Sequence, residues 1–279
     1  MKTFFWEELR SENIHCEKHD LFSAGTAVTI GKFDGVHFGH RALFKEVLNA
    51  PGYLKKGVVS FVNPPKKNEN DSKYAGNILT LRLKLKKIAE FGFDFITLID
   101  FSSSFAKIEG HIFIEDLAKT VCMKYLVVGE DFSCGYRRGT GLPELRQLSE
   151  RLGFGFDSIK RVCNSNYEVS STEIRKAIYN SDFTLTEKLL GYPFLLDSYG
   201  LQWCETGKGF KTSLKSFTQI VPCCGRYDVN VLLTDNSVNK GFFTVMDTQV
   251  CLEFENSEFL QKKNVGSKEI DSIIFVDKE

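Results

Sequence analysis

The sequence has 279 residues and carries 36 Lys and Arg side chains against 36 Asp and Glu, so its formal net charge is zero. That balance argues against a nonspecific grip on nucleic acid, and the length is enough for one large or two modest domains. No apolar run of about 18 residues occurs and acidic charge follows the N-terminus closely, so we expect no membrane span, no signal peptide and a cytoplasmic protein with small-molecule or protein partners.

Strand-like and helix-like segments alternate from residue 26 onward. The helical patterns have one apolar face, and 79–91 is the clearest of them. The alternation predicts an α/β domain over residues 1–190, a Rossmann-like, doubly wound parallel sheet with ligands at the carboxyl ends of its strands. The β-type runs are 26–30, 57–61, 94–99, 125–129 and 155–159, and the other helical patterns are 41–48, 112–121 and 143–152.

The character of the sequence changes after residue 190. Runs of β-forming residues follow at 227–233, 241–246 and 248–254, and turn residues separate the first two. We therefore predict a smaller antiparallel β-domain or β-barrel over residues 191–279.

The eight cysteines form no C-x-x-C pair and have no histidine-rich spacing, so no metal site is predicted. Several, such as Cys122 and Cys251, lie inside apolar runs, which is typical of buried thiols in a reducing compartment. We interpret the adjacent Cys223 and Cys224 as two ordinary thiols, because neighbouring cysteines form strained disulfides.

A glycine-rich turn joins the strand at 26–30 to the first helical pattern. Glycine recurs there at a spacing of four, which allows close approach of a ligand to the backbone, and His37 and His40 can donate hydrogen bonds to phosphate oxygens. Such a turn between a strand and a helix predicts a nucleotide phosphate site. The alternative is that the two histidines are exposed loop residues or a helix cap. The three glycines are Gly31, Gly35 and Gly39.

A second phosphate candidate begins at Ser170. With Glu173 three residues later, Ser170 matches a capping box, so a purely structural role is a strong alternative. The same arrangement exposes backbone N–H groups and hydroxyls, and Arg175 adds a fork that can bind phosphate. If both turns lie at one sheet edge, they would face each other across one nucleotide.

Two further loops follow strands and are candidates for binding a planar ring. In the loop after residue 128, Phe132 and Tyr136 could stack on such a ring while Asp131 accepts hydrogen bonds from it; the alternative is a solvated turn. After the strand at 57–61, Phe61 and Asn63 are weaker candidates. The prolines that follow are interpreted as a stiff exit from the strand.

Taken together, four segments resemble the bacterial FAD synthetases, which join an FMN adenylyltransferase module to a riboflavin kinase module. The resemblance covers residues 24–195. Its motifs are G-x-F-D-G-V-H-x-G-H from Gly31, G-x-D-F-x-x-G from Gly129, S-S-T-x-I-R from Ser170 and L-G-Y-P from Leu190. The wider nucleotidyltransferase superfamily shares the H-x-G-H pair, whereas the four motifs in this order are specific.

The resemblance implies a nucleotidyltransferase-type domain that transfers AMP from Mg²⁺-bound ATP to FMN, giving FAD and pyrophosphate. By the family pattern the two histidines would hold the triphosphate, and the segment from Ser170 would take its β- and γ-phosphates. The expected catalytic residues are His37, His40 and Arg175; those for ATP are Gly31, Phe33, Asp34, Gly35, Gly39, Ser170, Ser171 and Thr172; and those for flavin are Phe61, Asn63, Asp131, Phe132 and Tyr136.

The second module departs from the family pattern. Where the kinase carries Gly-Phe-Pro-Thr-Ala-Asn, this chain reads T-G-K-G-F-K-T-S-L over residues 206–214. We therefore expect 191–279 to be a degenerate riboflavin-kinase-like domain without kinase activity. The alternatives are a bifunctional enzyme, a non-catalytic flavin- or nucleotide-binding protein, and an adenylyltransferase for another phosphorylated acceptor such as pantetheine phosphate.

Overall fold

The computed structural model describes residues 1–10, 21–62, 76–102, 104–164, 167–256 and 269–276. Backbone contacts divide the chain into two units. The first unit is Met1–Asp71 with Leu85–Cys163, and the second is Ser72–Lys84 with Asn164–Glu279. The domain boundary at residue 190 stays a prediction.

A six-stranded sheet forms the centre of the first unit, and every strand pair in it is parallel. The strand order is β1-β4-β3-β2-β5-β6, which confirms the predicted parallel sheet. β2 and β4 are buried at every position, as expected for strands covered on both faces. The strands are β1 (Lys2–Phe5), β2 (Thr26–Ile30), β3 (Lys55–Phe61), β4 (Phe95–Ile99), β5 (Met123–Gly129) and β6 (Gly155–Ile159).

Four of the five described helices of this part of the chain follow the predicted periodic patterns, and the short helix at Trp6–Arg10 was not predicted. The helices at 6–10, 38–49, 110–120 and 142–152 contact the sheet, and Phe22, Phe95, Phe113 and Leu126 belong to one buried cluster. Among the described helices, none is long and apolar enough to cross a membrane. The helices are α1 (Trp6–Arg10), α2 (Phe38–Asn49), α3 (Leu81–Ala89), which contains the division between units, α4 (Gly110–Thr120) and α5 (Leu142–Leu152).

An antiparallel sheet of seven strands dominates the second unit. Its order is β10-β11-β14-β13-β12-β15-β9, and it curls into a half-barrel, which confirms the predicted barrel-like second domain. The elements are β7 (Cys163–Asn164), β8 (Tyr167–Glu168), α6 (Ser171–Tyr179), α7 (Phe183–Leu190), β9 (Leu195–Asp197), β10 (Cys204–Thr206), β11 (Gly209–Ser213), β12 (Gly225–Leu233), β13 (Val238–Val245), β14 (Gln249–Phe254) and β15 (Ile270–Phe275).

One cation in the second unit joins two carboxylates. Arg82 donates through Nη1 to Asp271 Oδ1 at 2.6 Å and through Nη2 to Asp197 Oδ1 at 2.5 Å. The side chains of Asp197 and Asp271 are 7% and 11% exposed, so water solvates these carboxylates poorly. The positive charge of Arg82 offsets their negative charge instead. The cluster therefore ties the first turn of α3 to β9 and β15.

The cysteines are less buried than the apolar runs indicated. Cys122 is exposed, because it lies in the turn between α4 and β5 with φ at +49°. Cys223 lies 3.4 Å from Ser181 Oγ and 3.5 Å from Tyr227 Oη, and hydrogen bonds from these two hydroxyls lower the pKa of its thiol. Cys223 and Cys224 are both free thiols, and the lowered pKa distinguishes Cys223 from its neighbour.

Candidate active site

The turn after β2 has an unusual backbone. Phe33, Gly35 and Val36 have φ values of +50°, +87° and +40°. A left-handed conformation at a β-branched residue such as Val36 costs about 1–3 kcal/mol and persists only where the surroundings enforce it. A Cβ on Gly31 would lie 2.8 Å from Cζ of Phe33. The turn is therefore tight: the ring of Phe33 packs against the backbone of Gly31 and leaves no room for a side chain there.

The two histidines stack on each other at the start of α2. Their ring centroids are 3.6 Å apart with 17° between the planes. His37 is the N-cap residue and is 6% exposed, while His40 lies in the first turn of the helix. The free N–H groups and dipole of a helix N-terminus favour an anion, so both imidazoles stand where a phosphate would be attracted.

The helix begins earlier than the sequence pattern indicated. It starts at Phe38 rather than at residue 41, so Gly39 and His40 are helical. The ring of Phe33 is 1% exposed and meets His40 edge-on at 5.2 Å and Phe44 at 5.1 Å. The buried ring of Phe33 thus packs against the imidazole of His40 and helps to fix its position.

A cavity of about 490 Å³ lies in the first unit, beside this turn. Gly31 and Lys32 line it from the turn, and Asp131 and Phe132 line it from the loop after β5. Because β2 and β5 are parallel neighbours, the loops after them lie at one edge of the sheet. Further lining residues are Phe61, Phe101, Phe105, Phe113, Cys134 and Arg138.

The wall of the cavity is mainly apolar, and five phenylalanines contribute to it. Phe61, Phe101, Phe105 and Phe113 form a chain of edge-on contacts with centroids 5.5–5.9 Å apart between Phe61 and Phe101, Phe101 and Phe105, and Phe105 and Phe113. Burial raises the pKa of the Cys134 thiol to about 12, so this group is neutral and acts as apolar surface. The cavity suits a flat, largely apolar ring system.

The structure separates the predicted flavin residues into three groups. Phe61, Asp131 and Phe132 line the cavity. Tyr136 is 47% exposed, and the guanidinium of Arg137 lies 5.1 Å from the centre of its ring. Asn63 lies outside the described residues.

Sequence reasoning missed Phe101, Phe105 and Phe113. The first two follow β4, whose carboxyl end lies at the same sheet edge as those of β2, β3 and β5. Applying the strand-end rule to β4 as well would have found them. Phe113 lies inside α4, where its apolar character is the same as that of any core residue.

The segment from Ser170 belongs to the second unit, whereas the histidines belong to the first. Ser170 Oγ accepts from the N–H of Glu173 at 3.3 Å, which is the first half of the expected capping box. The Glu173 carboxylate pairs with Lys176 at 2.7 Å. Arg175 donates through Nε to Gly76 O at 2.9 Å and through Nη1 to Ser171 O at 3.2 Å, so its fork is held over the first turn of α6.

Comparison with known proteins places the chain among enzymes of flavin metabolism. A family model described as FAD synthetase matches residues 20–173. The bifunctional riboflavin kinase/FMN adenylyltransferase of Escherichia coli is 33% identical over 223 residues, which cover 77% of this chain and 71% of that protein. A FAD synthetase of Listeria monocytogenes is 28% identical over 217 residues, covering 75% and 82%.

The fold also has a relative among solved structures. The crystal structure of a macrolide-efflux protein from Streptococcus pneumoniae superposes with a TM-score of 0.72 at 20% identity, covering 100% of this chain and 91% of that chain. At this level of identity the likeness shows a shared fold and nothing about activity.

Proposed function

The chain belongs to the FAD synthetase family, and from this membership we propose that it is an FMN adenylyltransferase, which transfers AMP from ATP to FMN. The observation that carries the proposal is the aromatic cavity, which shares Gly31 and Lys32 with the histidine turn. A volume of about 490 Å³ lies within the usual range of small-molecule sites. A flavin in this cavity would have its reactive phosphate near the N-terminus of α2, whose free N–H groups favour an anion.

The reaction needs positioning and charge stabilisation more than a covalent nucleophile. A phosphate oxygen of FMN bonds to the α-phosphorus of ATP, the bond from that phosphorus to the β-phosphate bridge breaks, and pyrophosphate leaves. His37 and His40 donate hydrogen bonds to the phosphate oxygens on which charge develops. The backbone of Gly31, Asp34 and Gly35 and the start of α2, at Gly39, cradle the same group.

The outer phosphates are assigned to the segment that opens α6. The family pattern supports this role for Ser170, Ser171, Thr172 and Arg175, and a helix N-terminus with free N–H groups suits an anion. The hydrogen bonds of Arg175 to Gly76 and Ser171 hold its guanidinium in one orientation, which favours a bidentate contact with phosphate.

Mg²⁺ is proposed to arrive bound to the triphosphate. The described residues contain no group of three or more His, Cys, Asp or Glu side chains that could hold a metal, whereas phosphate oxygens are the ligands that Mg²⁺ prefers. When bound there, Mg²⁺ offsets negative charge on the transferring group.

For the flavin, we propose contacts from Phe61, Asp131 and Phe132, which line the cavity, and the family pattern adds Asn63 and Tyr136. The aromatic side chains offer stacking surface, and the Asp131 carboxylate can accept from an N–H of the ring. The neutral Cys134 thiol excludes water from the same wall.

The proposed division of labour assigns adenylyl transfer to residues 1–190 and leaves 191–279 as a degenerate riboflavin-kinase-like domain. The kinase motif is missing from residues 206–214, which comprise the end of β10, the hairpin turn and β11. Thr212 in this segment is 8% exposed, and its hydroxyl donates a hydrogen bond to Gln202 O at 2.8 Å. The hydroxyl is therefore engaged within the domain rather than presented to a substrate. This supports loss of riboflavin phosphorylation.

One product assay tests the whole proposal. Purified protein with ATP and Mg²⁺ should convert FMN to FAD and pyrophosphate, should make neither FMN nor FAD from riboflavin, and should stop when the metal is chelated. FMN formed from riboflavin would refute the loss of kinase activity. Nucleotide binding without any FAD, even after long incubation, would favour the non-catalytic alternative.

A further inference from the structure

The aromatic cavity has a charged rim. Of the residues that line it, Lys32 and Arg138 are cationic and Asp131 is the one carboxylate. The Asp131 carboxylate lies 3.7 Å from Nη2 of Arg161, which offsets its charge. The rim therefore has a net positive character that attracts an anion.

Arg138 is held at this rim by its own loop. Its Nε donates to Ser133 Oγ at 2.7 Å and its N–H donates to Gly135 O at 2.9 Å, while its φ is +59°. Non-glycine residues adopt such a φ only where the surrounding contacts enforce it. The positive φ fixes the backbone of this exposed residue, and the hydrogen bond from Nε to Ser133 orients its guanidinium.

The loop itself is anchored to the start of α4. A Cβ on Gly135 would lie 2.0 Å from the N of Gly110, so only glycine permits this close packing. Tyr136 N–H donates to Ile108 O at 2.8 Å, and Cys134 and Thr140 exchange two backbone hydrogen bonds at 2.9 and 3.2 Å. Backbone hydrogen bonds therefore close the loop that carries Arg138 and attach it to the segment before α4.

We propose that Arg138 binds the phosphate of FMN and makes the site select the phosphorylated flavin over riboflavin; this rests on the proposed function. The two flavins share the ring system that the phenylalanines contact, and they differ in a phosphate that carries roughly −1.5 to −2 charge at neutral pH. Aromatic contacts cannot distinguish them, whereas a positioned guanidinium can. Lys32, next to Gly31, lies on the side of the cavity from which the histidine turn begins.

The geometry also assigns Arg138 a positioning role in the reaction. A phosphate held between Arg138 and Lys32 stands at the carboxyl ends of β5 and β2, where the turn to His37 and His40 starts. The acceptor phosphate is thereby presented toward the group it must attack.

Flavin binding without ATP tests the assignment. The dissociation constants of FMN and riboflavin are measured by flavin fluorescence for the unmodified protein, Arg138→Gln, Arg138→Lys and the control Arg137→Gln. Arg137 is the adjacent arginine, also has a positive φ and does not line the cavity. Arg138→Gln should weaken FMN by about tenfold, as loss of one exposed charge-assisted contact does, and leave riboflavin unchanged.

The conservative and control variants complete the test. Arg138→Lys should keep part of the FMN preference, and Arg137→Gln should leave the FMN-to-riboflavin ratio unchanged. Higher ionic strength should weaken FMN binding more than riboflavin binding in the unmodified protein. Equal losses for both flavins in Arg138→Gln, or no loss for either, would overturn the assignment even if the unmodified protein makes FAD. Absence of FAD formation by the unmodified protein would instead refute the proposed function.

Discussion

Substituting Gly31 by alanine tests whether the geometry of the turn controls the chemistry. The new Cβ would lie 2.8 Å from Cζ of Phe33, so the ring must retreat by about 0.6 Å to reach the 3.4 Å of ordinary contact. Phe33 is 1% exposed and its ring meets His40 at 5.2 Å, so the displacement is passed to the imidazole. Overpacking of this kind costs about 1–2 kcal/mol, which lowers Tm by roughly 2–8 °C.

The effect on activity should be larger than the effect on stability. A misplacement of about 1 Å in a catalytic group can reduce the rate by about 10²-fold, so we expect kcat/KM for FAD formation to fall by about 10- to 100-fold. The assay is FAD formation from FMN and ATP, with thermal unfolding measured on the same samples. Gly52→Ala is the matched control, because a Cβ at Gly52 meets no atom within 4 Å.

A double substitution separates this cause from general damage. Phe33→Leu removes the ring edge that the new Cβ meets, so Gly31→Ala with Phe33→Leu should be more active than Gly31→Ala alone, a non-additive result typical of residues in contact. If Gly31→Ala keeps full activity and Tm, or if the second substitution only adds to its loss, the link from Gly31 through Phe33 to His40 is wrong.

Three further predictions concern other parts of the chain. His40→Ala should lower kcat by about 10²-fold or more in the FAD assay, since it removes a donor to the transition state, and an unchanged kcat would remove His40 from the mechanism. Arg82→Met should lower the free energy of unfolding by about 3–5 kcal/mol in a denaturant titration, because its two carboxylate partners would lose the charge that offsets them; a loss under about 1 kcal/mol would contradict this. Alkylation near neutral pH should modify Cys223 well before Cys134, because the pKa of the Cys223 thiol is lowered and that of the Cys134 thiol is raised to about 12. Peptide mass spectrometry measures the order of modification, and the reverse order would refute this prediction.

Local patterns were sufficient to predict five of the six strands of the parallel sheet, but not the edge strand β1 at Lys2–Phe5. The alternation of buried strands with amphipathic helices depends on side chains close together in sequence, and the structure confirms parallel pairing for 26–30, 57–61, 94–99, 125–129 and 155–159. The same holds for the histidine turn, because its glycines and imidazoles lie within ten residues. Helix boundaries were less accurate, as the start of α2 at Phe38 illustrates.

The cavity depended on the fold. Its lining residues Phe101, Phe113 and Arg138 are far apart in sequence, and each resembles an ordinary core or surface residue. They line one cavity because β4, α4 and the loop after β5 reach the same edge of the sheet. The contact of Phe33 with His40 likewise follows from the positive φ values of the turn, which no residue pattern encodes directly.

Amino-acid order alone was therefore enough for the fold class, the family resemblance and the glycine- and histidine-rich turn between β2 and α2, because each of these rests on periodicity or on short contiguous motifs. The tertiary structure decided which aromatic side chains share a cavity, which of two adjacent arginines lines it and which ring contacts the imidazole of His40. These are long-range packing relations, and they are determined by the register and twist of the whole sheet rather than by neighbours along the chain.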